Sequence, residues 1–151
     1  MPKLHTVTTA ELKDTLTSAE RATMARELGP DADADAWLGA CLLQACDRVV
    51  AAINSCERNV RILPGLCKVP AECVRTALAL ARHAMVSMVP AMAANLSDGA
   101  RAAEYNSAQH DLAALAACEL IPLYTPEEDE LADTGDPGCA IIGRPAQDWF
   151  I

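Results

Sequence analysis

The sequence predicts an all-α protein, a bundle of about four to five helices with an extended C-terminal arm. Hydrophobic residues make up 52% of the 151-residue chain but aromatic residues only 3%, and much of the difference is alanine, the best helix former. Apolar residues also recur at steps of three and four, the period of a helix that buries one face. The length suits a single core, so we expect a helical domain over residues 1–120 and the arm over residues 121–151.

Two capping motifs mark the starts of the first helices. Thr8 and Glu11 have the spacing of a capping box, in which each side chain accepts a hydrogen bond from the other residue's backbone N–H. Thr17 and Glu20 repeat this spacing. We therefore expect a short helix to about residue 16, and a second helix that ends before the Gly-Pro pair at residues 29–30.

Three longer helices follow, each with one apolar stripe. The third is expected over about residues 34–58 and the fifth over about residues 100–120, before Pro122. Pro70 suits a first helical position, so the fourth should run from there to about residue 89, with a short extension after Pro90. The expected stripes are Leu38, Leu42, Ala45, Val49, Ile53 and Cys56 in the third helix, Cys73, Ala77, Leu80, Ala81, Ala84 and Met88 in the fourth, and Tyr105, Ala108, Leu112, Leu115 and Cys118 or Glu119 in the fifth.

The composition changes at residue 121. From there to residue 151 the chain has seven acidic residues and one basic residue, so this segment carries −6 of the formal net charge of −9. Its prolines and glycines disfavour helix, and it has too little apolar surface to fold alone.

The arm nevertheless ends in apolar sequence, with a strand-like run at residues 139–145 and three bulky side chains at residues 149–151. An apolar tip on an acidic arm suits docking on a partner, and it suits equally well folding back onto the chain's own helices. The residues expected to form this interface are Ile141, Ile142, Arg144, Trp149, Phe150 and Ile151.

The net negative charge and the absence of known catalytic or nucleotide-binding motifs disfavour several classes of function. A net charge of −9 disfavours sequence-specific DNA binding, because phosphates attract basic surfaces. The sequence contains no phosphate-binding glycine loop, nucleophile elbow or dinucleotide fingerprint. The clustered carboxylates fall in the arm, where a solvated charge run is a better interpretation than a rigid acid–base site. We therefore expect no catalytic residues and no cofactor.

Seven cysteines are present, an odd number with no C-x-x-C pair. We find no signal peptide or membrane span in the sequence, so we expect a soluble protein made in a cytoplasm, with all seven cysteines reduced. Their spacing, with no histidine close by, also disfavours a metal site. The three histidines, His5, His83 and His110, are expected at helix seams or at the surface.

Several features keep an order and spacing typical of one protein family. A long helix through residues 45–55 leads to the loop at residues 63–64, and residues 69–70 open an alanine-rich helix. The last helix carries Arg101, Tyr105, Ala108 and Leu112, and the arm carries the run Ala140, Ile141, Ile142, Gly143, Arg144 and Pro145. Over about residues 37–120, with this run added, the chain resembles the head–tail connector (adaptor) proteins of tailed bacteriophages, especially the Mu-like group of small helical connectors.

The resemblance implies a structural virion protein and not an enzyme. Such proteins form a ring, commonly of twelve copies, beneath the portal of the capsid, where they extend the DNA channel and join capsid to tail. The implied partners are further copies of the chain, the portal protein, and tail or tail-completion proteins. DNA would pass through without sequence-specific binding, no membrane is involved, and the ring would sit in the neck of a virion assembled in the host cytoplasm.

Two other functions stay open from the residues alone. A small helical regulatory or adaptor protein would bind a basic partner through the acidic arm, and that binding would weaken steeply with salt. A small helical enzyme would use a cysteine nucleophile, and one cysteine would then react selectively at neutral pH.

Overall fold

The computed structural model describes residues 2–29, 33–93 and 99–132, and within them the fold is all-α, as predicted. Six α-helices follow one another in this part of the chain, together with one pair of short strands. The helices are α1 (Thr9–Asp14), α2 (Ser18–Leu28), α3 (Ala34–Ser55), α4 (Val74–Met88), α5 (Pro90–Ala93) and α6 (Gly99–Ala116), and the strands are β1 (His5–Thr6) and β2 (Lys68–Val69).

Both predicted capping boxes are formed. Thr8 caps α1 and Thr17 caps α2, each accepting a hydrogen bond from the backbone N–H of the glutamate three residues later. Glu11 and Glu20 in turn accept from the backbone N–H groups of their threonines, at 2.8 and 2.7 Å. These reciprocal bonds satisfy amides that the first turn of a helix leaves free, so the starts of α1 and α2 are fixed locally.

The centre of the fold is the group α3, α4 and α6. Thr76, near the start of α4, donates to Asp111, near the end of α6, at 3.0 Å, so these two helices are antiparallel. Cys56 follows α3, Cys118 follows α6, and the two are bonded, so α3 and α6 finish at the same end of the bundle. We call this end, where α4 begins, the disulfide end.

The predicted stripe of α3 is confirmed, because all six of its residues are buried. In α4, four of the six predicted residues are buried, but Met88 is 58% exposed and Ala84 is only partly buried. Near the end of α4 the buried residues are instead Met85 and Val86. An α-helix has 3.6 residues per turn, so a stripe extended at a constant step drifts off the buried face after a few turns.

Two helices end earlier than predicted. α3 ends at Ser55, three residues early, because the backbone of Cys56 is extended. α6 ends at Ala116 and not at residue 120, and Cys118 has a φ of 60°, which a right-handed helix excludes. Both early ends lie at the disulfide, a contact between distant parts of the chain.

The strands β1 and β2 were not predicted. They pair antiparallel, with His5 opposite Val69 and Thr6 opposite Lys68. Strands of two residues are too short to show an alternating pattern. Their pairing attaches the N-terminus to the loop between α3 and α4.

The disulfide between Cys56 and Cys118 corrects the expectation that all seven cysteines are reduced. Their Cα atoms lie 5.3 Å apart, although the residues are 62 positions apart in sequence. Helix packing creates this proximity, and spacing along the chain does not reveal it. The other described cysteines are thiols, as expected: Cys41, Cys46 and Cys73 are buried and Cys67 is partly buried. Cys139 lies outside the described residues.

Candidate functional site

Four charged side chains form a network between α2, α4 and α6. Arg101 donates through Nη2 to both carboxylate oxygens of Glu20, at 2.8 and 2.7 Å. Arg82 pairs with Glu104 and donates to the carbonyl of Thr15 at 3.1 Å. Glu20 and Arg82 are only 6% and 8% exposed, and burying an ion is costly unless an opposite charge compensates it. Each of the four charged side chains is paired with one of opposite charge, so we interpret the network as a structural element.

The four residues of α6 on which the resemblance rests all face inward. Arg101 belongs to the network, and Tyr105 stacks on His83 of α4 with ring centroids 3.5 Å apart and planes 12° apart. Ala108 is buried and Leu112 packs against the core. These residues therefore hold α6 to the rest of the fold.

The clefts beside these residues are small. One, bordered by the network, has a volume of about 20 Å³, which is room for a water molecule. A second, between α4 and α6 beside Thr76 and Asp111, has a volume of about 70 Å³. Ligand pockets usually measure roughly 300–1,000 Å³. A groove of about 470 Å³ on the solvent side of α3, along Leu43 and Asp47, is wide open to solvent.

The described free thiols lack the properties of catalytic nucleophiles. Burial raises the pKa of Cys46 and of Cys73 to about 12. It also raises the pKa of Cys41 and of Cys67 above the ordinary value of 9.0. A catalytic cysteine needs a lowered pKa, because the thiolate is the reactive form.

The first part of the predicted arm packs along the helical body. Tyr124 is buried and its hydroxyl donates to the carbonyl of Val60. The N–H of Leu63 donates to the carbonyl of Glu130 at 2.8 Å, and the N–H of Ala132 donates to the carbonyl of Arg61 at 3.3 Å. The packed body therefore extends to Ala132, beyond the boundary predicted at residue 120, because these contacts outweigh the acidic composition.

The acidic run is partly neutralised within the body. Glu130, expected in a solvated run, is buried and accepts from Lys68 Nζ at 2.5 Å. This hydrogen bond is the main reason why the pKa of Glu130 is lowered and that of Lys68 is raised. Glu127 pairs with Lys3 at 2.5 Å. Oxygens of Glu127, Asp129 and Glu130 lie within 4.8 Å of one another, but a cation there would compete with two lysines.

Exposed apolar side chains are concentrated at the disulfide end. Residues 60–66 and 120–131 carry six of the eight exposed large hydrophobic side chains in the described part of the chain. The two segments are neighbours, because Ile62 pairs with Leu131 in a β-bridge. Singly scattered apolar residues are normal on a protein surface, but a concentration of them indicates an interaction site. We call this set the apolar end surface: Val60, Leu63, Leu66, Leu120, Leu123 and Leu131.

The residues predicted to form the arm's interface lie outside the described residues. They are Ile141, Ile142, Arg144, Trp149, Phe150 and Ile151, and the strand-like run at residues 139–145 lies outside as well. Ala132, the last described residue, is hydrogen-bonded beside the apolar end surface. The last described residue of the chain therefore lies at that surface.

Sequence reasoning missed the charge network and the apolar end surface. One signal for the network was present, because Arg82 interrupts the apolar run of the fourth helix, and a charge within an apolar face indicates a buried partner. Glu20 was recognised only as a capping residue, and Arg101 only through the resemblance. The apolar end surface joins two distant segments and has no comparable signal.

Comparison of the chain with protein-family models, with curated proteins and with solved structures finds no match.

Proposed function

We propose that the chain is a structural assembly subunit, and that it serves as a head–tail connector. In this role several copies form a ring beneath a portal protein, extend the DNA channel and join the capsid to the tail. The observation that carries the assembly role is the apolar end surface, where six large apolar side chains gather on two neighbouring segments. The resemblance of residues 37–120 to small helical connectors supports the specific assignment.

The size of this surface suits an assembly with several contacts per subunit. Fully burying a leucine or valine side chain contributes about 1.5–3 kcal/mol, so six half-exposed ones would contribute roughly 4.5–9 kcal/mol in all. Association itself costs about 4–15 kcal/mol. The apolar end surface alone would therefore give a weak pair, whereas a ring with two neighbours and a portal gives each subunit further contacts.

The chemistry of the described residues supports a structural role. Burial raises the pKa of the free thiols, and the clefts near the charge network have room for only a few water molecules. The acidic run already holds Lys3 and Lys68, which reduces its attraction for a basic partner and disfavours the regulatory alternative. A disulfide between Cys56 and Cys118 suits a protein that must persist in oxidising surroundings, virion surfaces included.

Affinity capture tests the proposal. The tagged chain is co-expressed with the proteins encoded beside it, captured, and its partners are identified by mass spectrometry. The connector assignment predicts recovery of a ring-forming portal-like protein and of tail components, and ring-shaped particles in electron micrographs of the captured material. Recovery of one soluble basic partner, released by moderate salt, would support the regulatory alternative instead.

A further inference from the structure

The two segments of the apolar end surface carry charges of opposite sign. On the first segment Arg58 and Arg61 are exposed, and residues 58–66 contain no acidic residue. Glu57 directly precedes Arg58, and with it counted this segment still has an excess of one positive charge. We call residues 57–66 the basic side of the surface.

The second segment, residues 119–131, is the acidic side of the surface. It contains five acidic residues and no basic one. Glu127 and Glu130 are paired with Lys3 and Lys68, which leaves three exposed carboxylates: Glu119, Glu128 and Asp129. Within the described part of the chain, neither these carboxylates nor the two arginines of the basic side form an ion pair.

The two sides lie next to each other and are equally apolar. Ile62 pairs with Leu131 in a β-bridge, and the N–H of Leu63 donates to the carbonyl of Glu130 at 2.8 Å. Each side carries three of the six large apolar side chains of the surface. A well-matched partner must therefore present apolar side chains between an acidic and a basic border, because like charges that face each other across an interface oppose binding.

A second copy of the chain has this arrangement. A two-fold axis along the line between the two sides sets the basic side of one copy against the acidic side of the other. A partner with charges of a single sign would be repelled by one of the sides. The chain's own residues 133–151 carry three acidic residues and one basic residue, so the acidic side disfavours them as the occupant.

We propose that two copies of the chain pair face to face through their apolar end surfaces. In this pair the basic side of each copy lies against the acidic side of its partner, and every contact occurs twice. A contact related by a two-fold axis uses the same surface on both copies, so association stops at the dimer. The surface is therefore covered in the pair and exposed in the single chain.

The pair is weak, because the apolar side chains that it covers are already partly buried in each copy. We expect a dissociation constant of about 10–100 μM. Formation of the pair does not rest on the proposed function, but its consequence does. A portal that binds the apolar end surface would have to displace one copy, so the pair would be a form that the subunit adopts before assembly.

Sedimentation equilibrium of the full chain tests the proposal. Over a range from about 1 μM to about 500 μM, the average mass should rise from that of one chain to that of two chains and no further. A mass that stays at one chain throughout would overturn the proposal. A mass that continues to rise beyond two chains would also overturn it, because a two-fold pair is closed.

Charge reversal tests which sides meet. Arg58→Glu/Arg61→Glu makes both sides acidic, and Glu128→Lys/Asp129→Lys makes both sides basic or neutral. Because every contact occurs twice, each variant alone should pair at least about tenfold more weakly than the wild type. An equimolar mixture of the two variants should pair as tightly as the wild type, because each reversed side then meets a side of opposite charge.

A control variant separates this surface from the effect of net charge. Arg21→Glu/Arg26→Glu makes the same change in net charge at two exposed positions of α2 and should pair like the wild type. An equal loss of pairing in this control, or a mixture of the two reversal variants that stays unpaired, would overturn the proposal. Portal capture at about 1 μM, where the pair is dissociated, tests the proposed function separately.

Discussion

Arg101 of α6 binds both carboxylate oxygens of Glu20 through a single nitrogen, at 2.8 and 2.7 Å. Glu20 also accepts from the backbone N–H of Thr17 at 2.7 Å, so one carboxylate both caps α2 and holds α6. Apart from Glu20, only Met24 is buried in α2. The pair is therefore a main attachment of α2 to the bundle.

Removal of the Arg101 side chain should destabilise the fold. Arg101→Ala leaves the buried carboxylate of Glu20 without its cation, and breaking a buried ion pair typically costs about 3–5 kcal/mol. We expect a loss near 3 kcal/mol, roughly the lower end of that range, in urea unfolding followed by circular dichroism. Arg26→Ala removes an arginine from the exposed pair with Glu27 and should cost less than about 1 kcal/mol. Equal losses in the two variants would contradict the structural role of the network.

The disulfide should contribute measurably to stability. A bond that closes a loop between cysteines 62 positions apart in sequence stabilises by about 4 kcal/mol in the chain-entropy view. A reductant should therefore lower the urea midpoint of the wild type, and it should leave the midpoint of Cys56→Ala/Cys118→Ala nearly unchanged. If the reductant shifts both proteins equally, the stabilising bond is not Cys56–Cys118.

The contact between Glu130 and Lys68 predicts a particular dependence on pH. The pKa of Glu130 in the folded protein is lowered from its ordinary value of 4.5, chiefly by the hydrogen bond from Lys68. Its contribution is therefore complete above that ordinary value and is lost as the pH falls through the lowered one.

Glu130→Gln isolates this contribution. The variant should be less stable than the wild type at neutral pH, and the difference should shrink steadily below the ordinary value of 4.5. Urea midpoints measured from pH 7 downward give the difference directly. A constant difference across the whole range would show that the ionised form of Glu130 is not stabilised by folding.

The apolar tip of the arm should matter for assembly and not for folding. Deleting residues 149–151 removes Trp149, Phe150 and Ile151, which are expected to dock on a partner. The truncated chain should keep the helical circular dichroism and the urea midpoint of the full chain, and should be captured less by its partners. Unfolding of the truncated chain in isolation would show instead that the tip belongs to its own core.

Local signals predicted the parts of the fold that are decided locally. The two capping boxes fix the starts of α1 and α2 within four residues of sequence, and the stripe of α3 follows from helical periodicity. The early ends of α3 and α6, the β1–β2 pair and the burial of Glu130 each depend on a partner distant in the chain. The pattern of residues along one sequence does not identify such partners, because residues distant in the chain become neighbours only when the chain packs.

The features of the candidate sites that were not predicted also depend on contacts between distant parts of the chain. Composition predicted that the acidic arm would be solvated, but Lys3 and Lys68 pair with its first part. The apolar end surface exists only because residues 60–66 and 120–131 meet at the disulfide end. The sequence could predict that the chain binds a partner. The position of the exposed apolar residues among the described ones is visible only in the folded structure.

The most direct test of the assembly role compares two surface variants of equal exposure. Leu123, in the apolar end surface, is 57% exposed, and Met88, at the opposite end of the bundle, is 58% exposed. Leu123→Gln and Met88→Gln both replace an apolar side chain by a neutral polar one, and each should change stability by less than about 0.5 kcal/mol. The measurement is the amount of portal-like partner captured by each variant, with unfolding midpoints as the check on folding.

We predict that Leu123→Gln lowers the affinity for the partner about tenfold, equivalent to about 1.4 kcal/mol, and that Met88→Gln does not lower it. Equal capture by both variants would contradict an assembly role for the apolar end surface.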